Sequence, residues 1–430
     1  MNIYKKWQIA VMILLLATGL SAKEWTVQPG TELPTIRAAI AVADSGDVII
    51  VKSGTYRESP VEVNKSVSII GDGEVIIDGE EDHQVITVTA DYVTLKNLDI
   101  RNCGVSFVDD KAGVKVEECA NVRIENCRFL NTFFAIYLAK SRDCTISNNS
   151  IRGFAKTEAA SGNGVHLWYC RDIEVSNNRI TGHRDGIYFE FVQGGNIHDN
   201  HSEKNLRYGL HFMFSDGCHY TGNTFRNNGA GVAVMYTKNV TMINNHFDQN
   251  WGNAAFGLLL KDITDSEISN NFFIKNSIGI YAENSSRIDV RQNDFRENGW
   301  AIKIMANCAD NVISENNFVA NAFDVATNSR NNFSRFSGNY WGNYSGYDLN
   351  RDGFGDVPFR PVRLFSLIVE QNPPALIMLR SLFVDLLDVA ENVFPVLTPE
   401  TLVDDRPLMH PVRVDKLHKN LGLSGLNASE

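Results

Sequence analysis

Residues 184–190 read RDGIYFE and residues 207–215 read RYGLHFMFS, so a glycine followed by an aliphatic residue returns after 23 positions. This pairing of a small and an aliphatic residue recurs along the chain, mostly at intervals of 22 or 23 residues. Its members are Gly113-Val114, Ala135-Ile136, Gly164-Val165, Gly186-Ile187, Gly209-Leu210, Gly231-Val232, Gly257-Leu258, Gly279-Ile280 and Ala301-Ile302. A period of this length with short strands is typical of a solenoid. The sequence therefore predicts an all-β fold, a right-handed parallel β-helix of about 22-residue coils over residues 23–362.

Successive side chains of a strand point to opposite faces, which decides which of them point into the interior of the β-helix. In RYGLHFMFS, Leu210 and Phe212 are predicted to point inward, so His211 and Met213 point outward. Met242 falls in a slot that other coils fill with isoleucine, and it is predicted to lie in the core. Successive coils must stack to bury these apolar faces, because one coil cannot bury its own.

Asparagine forms a second periodic pattern, at one turn of each coil. Its members are Asn149, Asn178, Asn200, Asn223, Asn245, Asn271, Asn293, Asn316 and Asn339. Asparagine tolerates the left-handed backbone conformation and can hydrogen-bond to a stacked copy of itself. We therefore expect a structural ladder of amides at a repeated tight bend.

The two ends depart from the repeat, as the ends of a solenoid must. Residues 33–43 (LPTIRAAIAVA) predict a short amphipathic helix that covers the open edge of the first coil. The aromatic residues 340–344 (YWGNY) predict a plug at the other end. Residues 363–430 predict a helical and extended docking segment, with one helix over Ala375–Val393 whose broad apolar face either seals the solenoid or docks on a partner.

The N-terminus has the features of a secretory signal peptide. Lys5 and Lys6 precede an apolar run and a small-residue end at Ala22, which predicts a cleaved segment over residues 1–22 and an exported protein. No later stretch reaches the roughly 18 apolar residues that a membrane span needs.

Composition narrows the class of function. The net charge is −11, and it becomes more negative by two when the signal peptide leaves, which makes nucleic acid and anionic lipid surfaces poor partners. The seven cysteines are odd in number and form no CxxC pair, so they do not predict a disulfide framework. Several share slots with small residues of other coils, which favours packing over redox chemistry.

Many parallel β-helices are polysaccharide lyases, epimerases or hydrolases, so an enzymatic function must be considered first. Such enzymes bring carboxylates and a basic residue together on one outward sheet. Here the outward carboxylates are scattered singly, as at Glu117, Glu190 and Glu283, with no pair on adjacent coils. The sequence therefore predicts no enzyme, with a carbohydrate-active β-helix enzyme as the alternative.

The outward face instead carries sulfur and imidazole. His211 and Met213 share one strand face, and Met235 is predicted one coil away from Met213, about 4.8 Å apart. His166 is predicted two coils from His211. Thioether and imidazole are ligands that suit Cu(I), so these four residues are the candidate copper ligands. The alternative is that they merely cover the face of a sheet.

A second candidate metal site is the segment DLNRDGFGD at residues 348–356. Asp348, Asn350, Asp352 and Asp356 place oxygen ligands as in the first half of a calcium loop, with a glycine at the bend. Phe359 occupies the twelfth position, where a calcium loop has a bidentate glutamate. Calcium and a metal-free turn both remain open.

Taken together, several segments resemble the NosD family. They are GNGVHLW (162–168), RDGIYFE (184–190), RYGLHFMFS (207–215), GNYWGNYSGYDLNRDGFGDVP (338–358) and the proline-led C-terminal helix that ends in ENVFPV. The resemblance runs from about Trp25 to Val412, which is nearly the whole exported chain.

The resemblance implies a non-enzymatic, periplasmic, copper-handling accessory protein of nitrous-oxide reductase maturation. NosD-like proteins work with an ABC transporter made of a permease (NosY) and an ATPase (NosF), with a copper chaperone lipoprotein (NosL) and with the reductase itself (NosZ). Transient Cu(I) is thus the implied cargo, and membrane association is implied only through the permease. A metal-free scaffold for transporter and reductase is a third possibility.

Overall fold

The computed structural model describes residues 22–58, 60–106, 108–252, 255–329, 333–379, 381–393 and 402–414. The chain winds into a parallel β-solenoid of about 13 turns, which confirms the predicted fold. Every named strand pair is parallel, and the register advances by one coil at each pairing, as in Ile187↔Leu210 and Leu210↔Val232. The predicted signal peptide lies, apart from Ala22, outside the described residues.

Three sheets run along the solenoid. The first sheet contains Val61–Val63, Ile86–Val88, Ala112–Glu117, Phe134–Ala139, Val165–Trp168, Asp185–Glu190, Tyr208–Met213, Ala230–Lys238, Phe256–Ser269, Ile278–Glu283, Trp300–Ile304 and Phe323–Ala326. The second contains Glu24–Val27, Val48–Tyr56, Ser68–Asp78, Thr94–Lys96, Arg123–Glu125, Thr145–Ser147, Glu174–Ser176, Asn196–His198, His219–Thr221, Thr241–Ile243, Ser286–Arg291, Ala309–Ser314 and Phe333–Ser337. The third contains Asp99–Arg101, Arg128–Leu130, Ser150–Arg152, Arg179–Thr181, His201–Glu203, Thr224–Arg226, His246–Asp248, Phe272–Ile274, Asp294–Arg296, Asn317–Val319 and Tyr340–Trp341. The four longest strands turn a corner, so each contributes to two sheets.

Apolar side chains fill the interior in vertical stacks. Leu210 and Phe212 are fully buried and Met242 is 2% exposed, which confirms the predicted inward positions. One stack is aromatic, with ring centroids 4.3–5.7 Å apart. It runs through Phe225, Phe247, Phe273, Phe295, Phe318 and Trp341. Trp341 ends this stack, as the predicted plug requires.

The predicted asparagine ladder is buried and continuous. From Asn149 to Asn316, each side-chain Nδ2 donates to Oδ1 of the next ladder member at 3.0–3.1 Å. The left-handed conformation was assigned to the wrong residue, because the residue before the ladder adopts it, as at Asn148 (φ 58°) and Asn177 (φ 54°). The ladder residue itself points inward, where its amide satisfies backbone groups of the bend.

A second buried asparagine ladder, which the sequence analysis missed, lines the next corner. It links Asn205, Asn228, Asn250, Asn276, Asn298 and Asn321. The signal was present, because each of these residues follows a member of the first ladder by five positions.

Helix α1 (Ile36–Val42) closes the N-terminal end, as predicted. Thr35 caps it by accepting a hydrogen bond from the amide of Ala38, and Ile36, Ala39 and Ile40 are buried against the first coils. The Glu58 carboxylate accepts from the first amides of the helix, those of Ile36 and Arg37 (2.7 and 2.9 Å). These contacts satisfy amides that the helix cannot bond internally.

The C-terminal helical region is interrupted rather than continuous. Helix α2 (Leu364–Gln371), a 3-10 turn (Pro373–Met378) and helix α3 (Leu382–Val393) replace the single helix predicted over residues 375–393. The break at Leu379, whose backbone is not helical (φ −54°, ψ 127°), lets both pieces fold back on one apolar cluster. That cluster contains Phe323, Phe365, Val369, Ala375 and Val384, so these helices pack on the outer face of the first sheet.

Residues 402–414 return to the end of the solenoid. Asp404 is fully buried, and its carboxylate accepts from the amides of Gly338 and Asn339 (both 2.9 Å), from Nδ2 of Asn339 (3.1 Å) and from Nε1 of Trp341 (3.0 Å). Asp404 thus terminates the first asparagine ladder by taking the place of one more asparagine.

Candidate functional site

The candidate copper ligands lie on the outer face of the first sheet. Register places His166 beside Tyr188 and Tyr188 beside His211, and it pairs Met213 directly with Met235. The predicted adjacency of the two methionines and the two-coil separation of the histidines therefore match the structure.

His211 points outward from its strand but is nevertheless buried, with 5% of its surface exposed. The rings of Tyr188 and Tyr208 cover it, with centroids 5.1 and 4.9 Å away. This corrects the expectation that outward positions are open to solvent, because bulky neighbours on the same face enclose the imidazole.

A buried ion pair lies beside His211. Asp185 is fully buried and receives two hydrogen bonds from Arg207, Nε to Oδ1 at 2.9 Å and Nη2 to Oδ2 at 2.5 Å. Nδ1 of His211 lies 3.4 Å from Nη2 of Arg207 and 3.8 Å from Oδ2 of Asp185. Burial opposes ionisation of Asp185, but hydrogen bonds from Arg207 and His211 outweigh it and hold the pKa of the carboxyl below its usual value.

The other ring nitrogen of His211, Nε2, is buried without a hydrogen-bond partner among the described residues. The same holds for Nε2 of His183 and of His201, so this feature does not by itself distinguish His211. An imidazole nitrogen is a common ligand for copper, so the residue type of His211 suits the predicted cargo.

Met213 and Met235 are partly buried on adjacent strands, so two thioethers border the same surface. The hydroxyl of Tyr188 lies 4.0 Å from Sδ of Met213 and 3.4 Å from a carboxylate oxygen of Glu190. Burial, with the charge of Glu190 next in effect, raises the pKa of Tyr188 to about 12, so this hydroxyl keeps its proton at neutral pH. The Glu190 charge also favours a cation here.

His166 is held apart from the other three. Its ring lies between the rings of Tyr137 and Tyr188, with centroids 4.6 and 4.8 Å away, so Tyr188 separates it from His211. Burial, and then the charge of Arg184, lowers the pKa of His166 to about 3, so the ring is neutral. The structure thus places Met213 beside Met235 and His211 two residues before Met213 on the same strand, whereas His166 lies two coils from His211.

Sequence reasoning missed the residues that surround His211. Asp185 and Tyr208 occupy the position just before the recurring glycine, and Arg207 precedes Tyr208. The sequence did contain a signal for this ion pair, because RDGIYFE has the charged Asp185 before its glycine and Arg207 follows one coil later.

The aspartate loop does not gather its oxygens around one point. Asp348 accepts from the amides of Asp352 and Gly353, Asn350 accepts from Asp352, and Asp356 accepts from Leu349. Across the part of the chain that the structure describes, no group of three or more His, Cys, Asp or Glu side chains is arranged to hold a metal ion. The loop therefore has the hydrogen bonding of a metal-free turn, and the structure does not support calcium.

A row of aromatic rings, all exposed except the partly buried Phe191, borders the methionines. Each ring follows a residue of the outer face, and neighbouring centroids are 4.5–5.1 Å apart. The row consists of Tyr169, Phe191, Phe214 and Tyr236, all with φ between 51° and 56°. Bulky residues rarely adopt this conformation, and other coils place polar residues such as Glu118 and Asn284 there.

Two family models match the chain. Residues 150–346 match the model described as periplasmic copper-binding protein (NosD), and residues 35–157 match the right-handed β-helix region. The copper-binding model therefore covers all four candidate copper ligands.

Two relatives match most of the chain. A protein of Stutzerimonas stutzeri named "Probable ABC transporter binding protein NosD" is 25% identical over 426 residues, which are 94% of this chain and 95% of that protein. A protein of Pseudomonas aeruginosa with the same name is 27% identical over 352 residues, 77% of this chain and 81% of that protein.

Solved structures show the same fold at low identity. The catalytic unit of an α-1,3-glucanase from Streptomyces thermodiastaticus aligns with a TM-score of 0.62 and 15% identity, covering 77% of this chain and 70% of the glucanase. A family 28 exopolygalacturonase from Yersinia enterocolitica aligns with a TM-score of 0.60 and 11% identity, covering 74% and 78%. At this identity the likeness concerns the fold alone.

No helix within the described ranges is both long and apolar enough to cross a membrane. The matching copper-binding model and the two relatives, taken with the β-helix that carries the predicted segments, support the assignment of the chain to the NosD family.

Proposed function

We propose that the chain is a periplasmic, non-enzymatic copper-handling protein that works with an ABC transporter to supply the copper–sulfur centre of nitrous-oxide reductase. The observation that carries the proposal is the pairing of Met213 with Met235 on adjacent strands, with His211 on the same strand as Met213, within the region that matches the copper-binding model. Export by the N-terminal signal peptide is part of this proposal.

The proposed cargo is Cu(I), held by Met213, Met235 and His211. Two thioethers and one imidazole are soft, neutral ligands, which suit Cu(I) better than a divalent ion. Both methionines are partly exposed, so metal could enter and leave from the solvent side. Such a site favours transfer over permanent storage.

An enzymatic role has less support. The relatives are named as transporter binding proteins, whereas the enzymes among the solved structures share only the fold. On the face that bears His211, the carboxylates of Asp185 and Glu190 have different partners, since one is paired with Arg207 and the other lies by Tyr188. They do not form the opposed acid and base of a glycosidase.

The transporter permease is proposed to dock on the C-terminal helices. Four apolar side chains there point to solvent, Ile377 (91% exposed), Leu382 (75%), Leu386 (61%) and Val389 (60%). Exposed apolar patches of this kind commonly mark interaction sites. Two further partners are proposed. The copper chaperone lipoprotein would deliver copper to this protein, and the reductase would receive it.

Anaerobic loading with Cu(I), followed by metal analysis, tests the copper proposal. Met213→Leu with Met235→Leu removes both sulfurs while nearly preserving volume, so folding should change little. Met409→Leu is the matched control, since Met409 is also partly buried but lies at the far end of the solenoid. We expect loss of bound copper in the double variant alone; equal copper content in all three proteins would refute the site.

Co-purification with the transporter tests the docking proposal. Deleting everything after residue 373 would also remove Asp404 and open the solenoid end, so substitutions are the cleaner test. Ile377→Ser with Leu382→Ser should abolish co-purification at unchanged thermal stability, because both side chains are exposed. Exposed Tyr347→Ser is the control, and normal transporter binding by the helix variant would limit these helices to a capping role.

A further inference from the structure

Two long loops border a cavity where the third sheet passes into the first. Several coils join these sheets by a short connection, as at residues 131–133 and 182–184, but residues 102–111 and 153–164 form much longer ones. The two long loops belong to the coils on either side of the connection 131–133, and residues of all three line a cavity of about 270 Å³. Insertions in repeat proteins commonly form loops on one face, which is often the binding face.

The wall of this cavity is mostly uncharged. Apolar surface comes from Val105, Phe133 and Phe154. Among the described residues that line the cavity, Glu81 is the only acidic one, its side chain is exposed, and no lysine or arginine accompanies it. Because burying an ion without a counter-charge is costly, the cavity favours an uncharged molecule.

Two polar atoms of the wall are buried and lack a hydrogen-bond partner. They are Oγ1 of Thr132, a residue that is 7% exposed, and Nε2 of His183, which is 1% exposed; neither atom has a partner in the part of the chain that the structure describes. Burial lowers the pKa of His183 to about 4, against smaller opposing effects of the Gly162 and Phe133 carbonyls, so the ring is neutral at neutral pH. Buried polar atoms are nearly always paired, and two that border one cavity indicate a shared partner inside it.

Close backbone contacts fix the wall around these two atoms. A Cβ at Gly162 would come within 2.4 Å of the carbonyl oxygen of Phe133, and one at Gly182 within 2.3 Å of the carbonyl oxygen of Gly153. Gly182 also has a φ of 75°, which residues with a side chain rarely adopt. The loop 153–164 therefore lies directly against the neighbouring coils, and the cavity is formed before any ligand enters, as small-molecule sites usually are.

We propose that this cavity binds a small, uncharged organic molecule that carries a hydroxyl group on an apolar ring, of which phenol is the simplest example. A hydroxyl group both donates and accepts, so it can pair with Thr132 and with Nε2 of His183 whichever of them donates. The ring would replace water against Phe133 and Phe154. Sites for drug-sized ligands begin at about 300 Å³, so a cavity of about 270 Å³ suits a single ring. This site does not rest on the proposed copper function.

The first experiment is an NMR titration of the full-length exported protein, labelled with ¹³C in the threonine methyl groups. The Thr132 signal is assigned by its loss in Thr132→Val. We expect phenol to shift this signal saturably, toluene to bind more weakly because it lacks the hydroxyl, and benzoate not to bind because it is charged. No saturable shift with phenol would overturn the proposal and leave water as the partner of both atoms. Equal binding of benzoate would overturn the assignment to an uncharged ligand.

The second experiment compares variants by ligand-observed NMR. Thr132→Val removes one hydrogen bond and should weaken phenol binding about 2- to 10-fold without weakening toluene binding. Thr241→Val is the matched control, since Thr241 is a partly buried threonine on the second sheet, away from the cavity. Ala155→Leu places a larger side chain in the wall and should abolish binding of both probes.

The melting temperature of Thr132→Val checks the premise separately. Because the hydroxyl has no partner in the described chain, its removal should not lower the melting temperature. A clear fall would show that the hydroxyl is already paired within the protein, which would overturn the proposal. Phenol affinity that is equal in Thr132→Val and wild type, or that survives in Ala155→Leu, would place the phenol elsewhere and equally overturn it.

Discussion

Replacing Asp404 by alanine should open the C-terminal end of the solenoid without unfolding its middle. The substitution removes the acceptor of three backbone amides (Gly338, Asn339 and Arg406), one side-chain amide and one indole N–H, and all of these contacts except that of Arg406 are buried. Coils of a solenoid contact mainly their neighbours, so the damage should stay near the end.

The size of the effect follows from the four buried donors. A hydrogen bond to a charged group contributes about 1.5–3 kcal/mol, but members of one network are not additive and water can reach some donors after the change. We therefore expect a loss of about 3–5 kcal/mol in local stability, in the range measured for broken buried networks.

Hydrogen exchange at residues 338–341 measures this loss directly. A loss of about 3 kcal/mol corresponds to amide exchange on the order of 100-fold faster. Amides of central coils such as Leu210 and Val232 should exchange as in the wild type. Asp405→Ala is the control, since Asp405 is the exposed neighbour. Unchanged exchange at Gly338 and Asn339 in Asp404→Ala would show that the carboxylate does not hold this end.

Two further predictions concern titratable groups. Burial raises the pKa of Asp324 to about 6, so the stability contributed by its protonated form is complete at low pH and is lost as the pH rises through 6. Asp324→Asn should therefore raise the free energy of unfolding at pH 8 by about 1–2 kcal/mol, after allowance for partial exposure, and with it the melting temperature. At pH 4 the substitution should have little effect. A melting temperature at pH 8 that falls on substitution would contradict this. All seven cysteines are free and buried, and burial raises the pKa of the Cys103 thiol to about 12. The native protein should therefore not react with a thiol reagent at pH 8, whereas the urea-unfolded protein should react at seven sites. Rapid labelling of the native protein would contradict the packing role of the cysteines.

Periodic features were predictable because each coil repeats the same pattern of strands and turns and needs the same residue types at the same positions. The recurring glycine and aliphatic pair located the first sheet, and the inward alternation at Leu210 and Phe212 held. The asparagine ladder was also predictable, since one residue type returns at one turn. The backbone geometry of the ladder was less predictable, because the pattern does not say whether the ladder residue or the residue before it takes the left-handed conformation.

Features that depend on distant residues were not predictable from spacing. Burial of His211 arises from Tyr188, one coil earlier, and Tyr208, on its own strand, which alternation cannot reveal. The role of Asp404 depends on a chain return across more than 60 residues. The break at Leu379 reflects packing of both helical pieces on Phe365 and its neighbours, which overrides helical periodicity.

The candidate site was predicted in part. Spacing correctly placed Met213 beside Met235 and His211 on the same face, because strand register follows directly from the repeat. It could not foresee that Tyr188 separates His166 from His211, nor that Asp185 and Arg207 would lie against the imidazole. Those contacts depend on side-chain size and rotamer, which the period does not encode.

Copper X-ray absorption on the anaerobically Cu(I)-loaded protein tests the central claim most directly, because it identifies the atoms bound to the metal. The proposed site predicts sulfur and nitrogen neighbours in the wild type, loss of the sulfur contribution in Met213→Leu with Met235→Leu, and loss of nitrogen in His211→Gln. A wild-type spectrum without sulfur, or a sulfur contribution that survives in the double variant, would contradict the assignment of copper to this face.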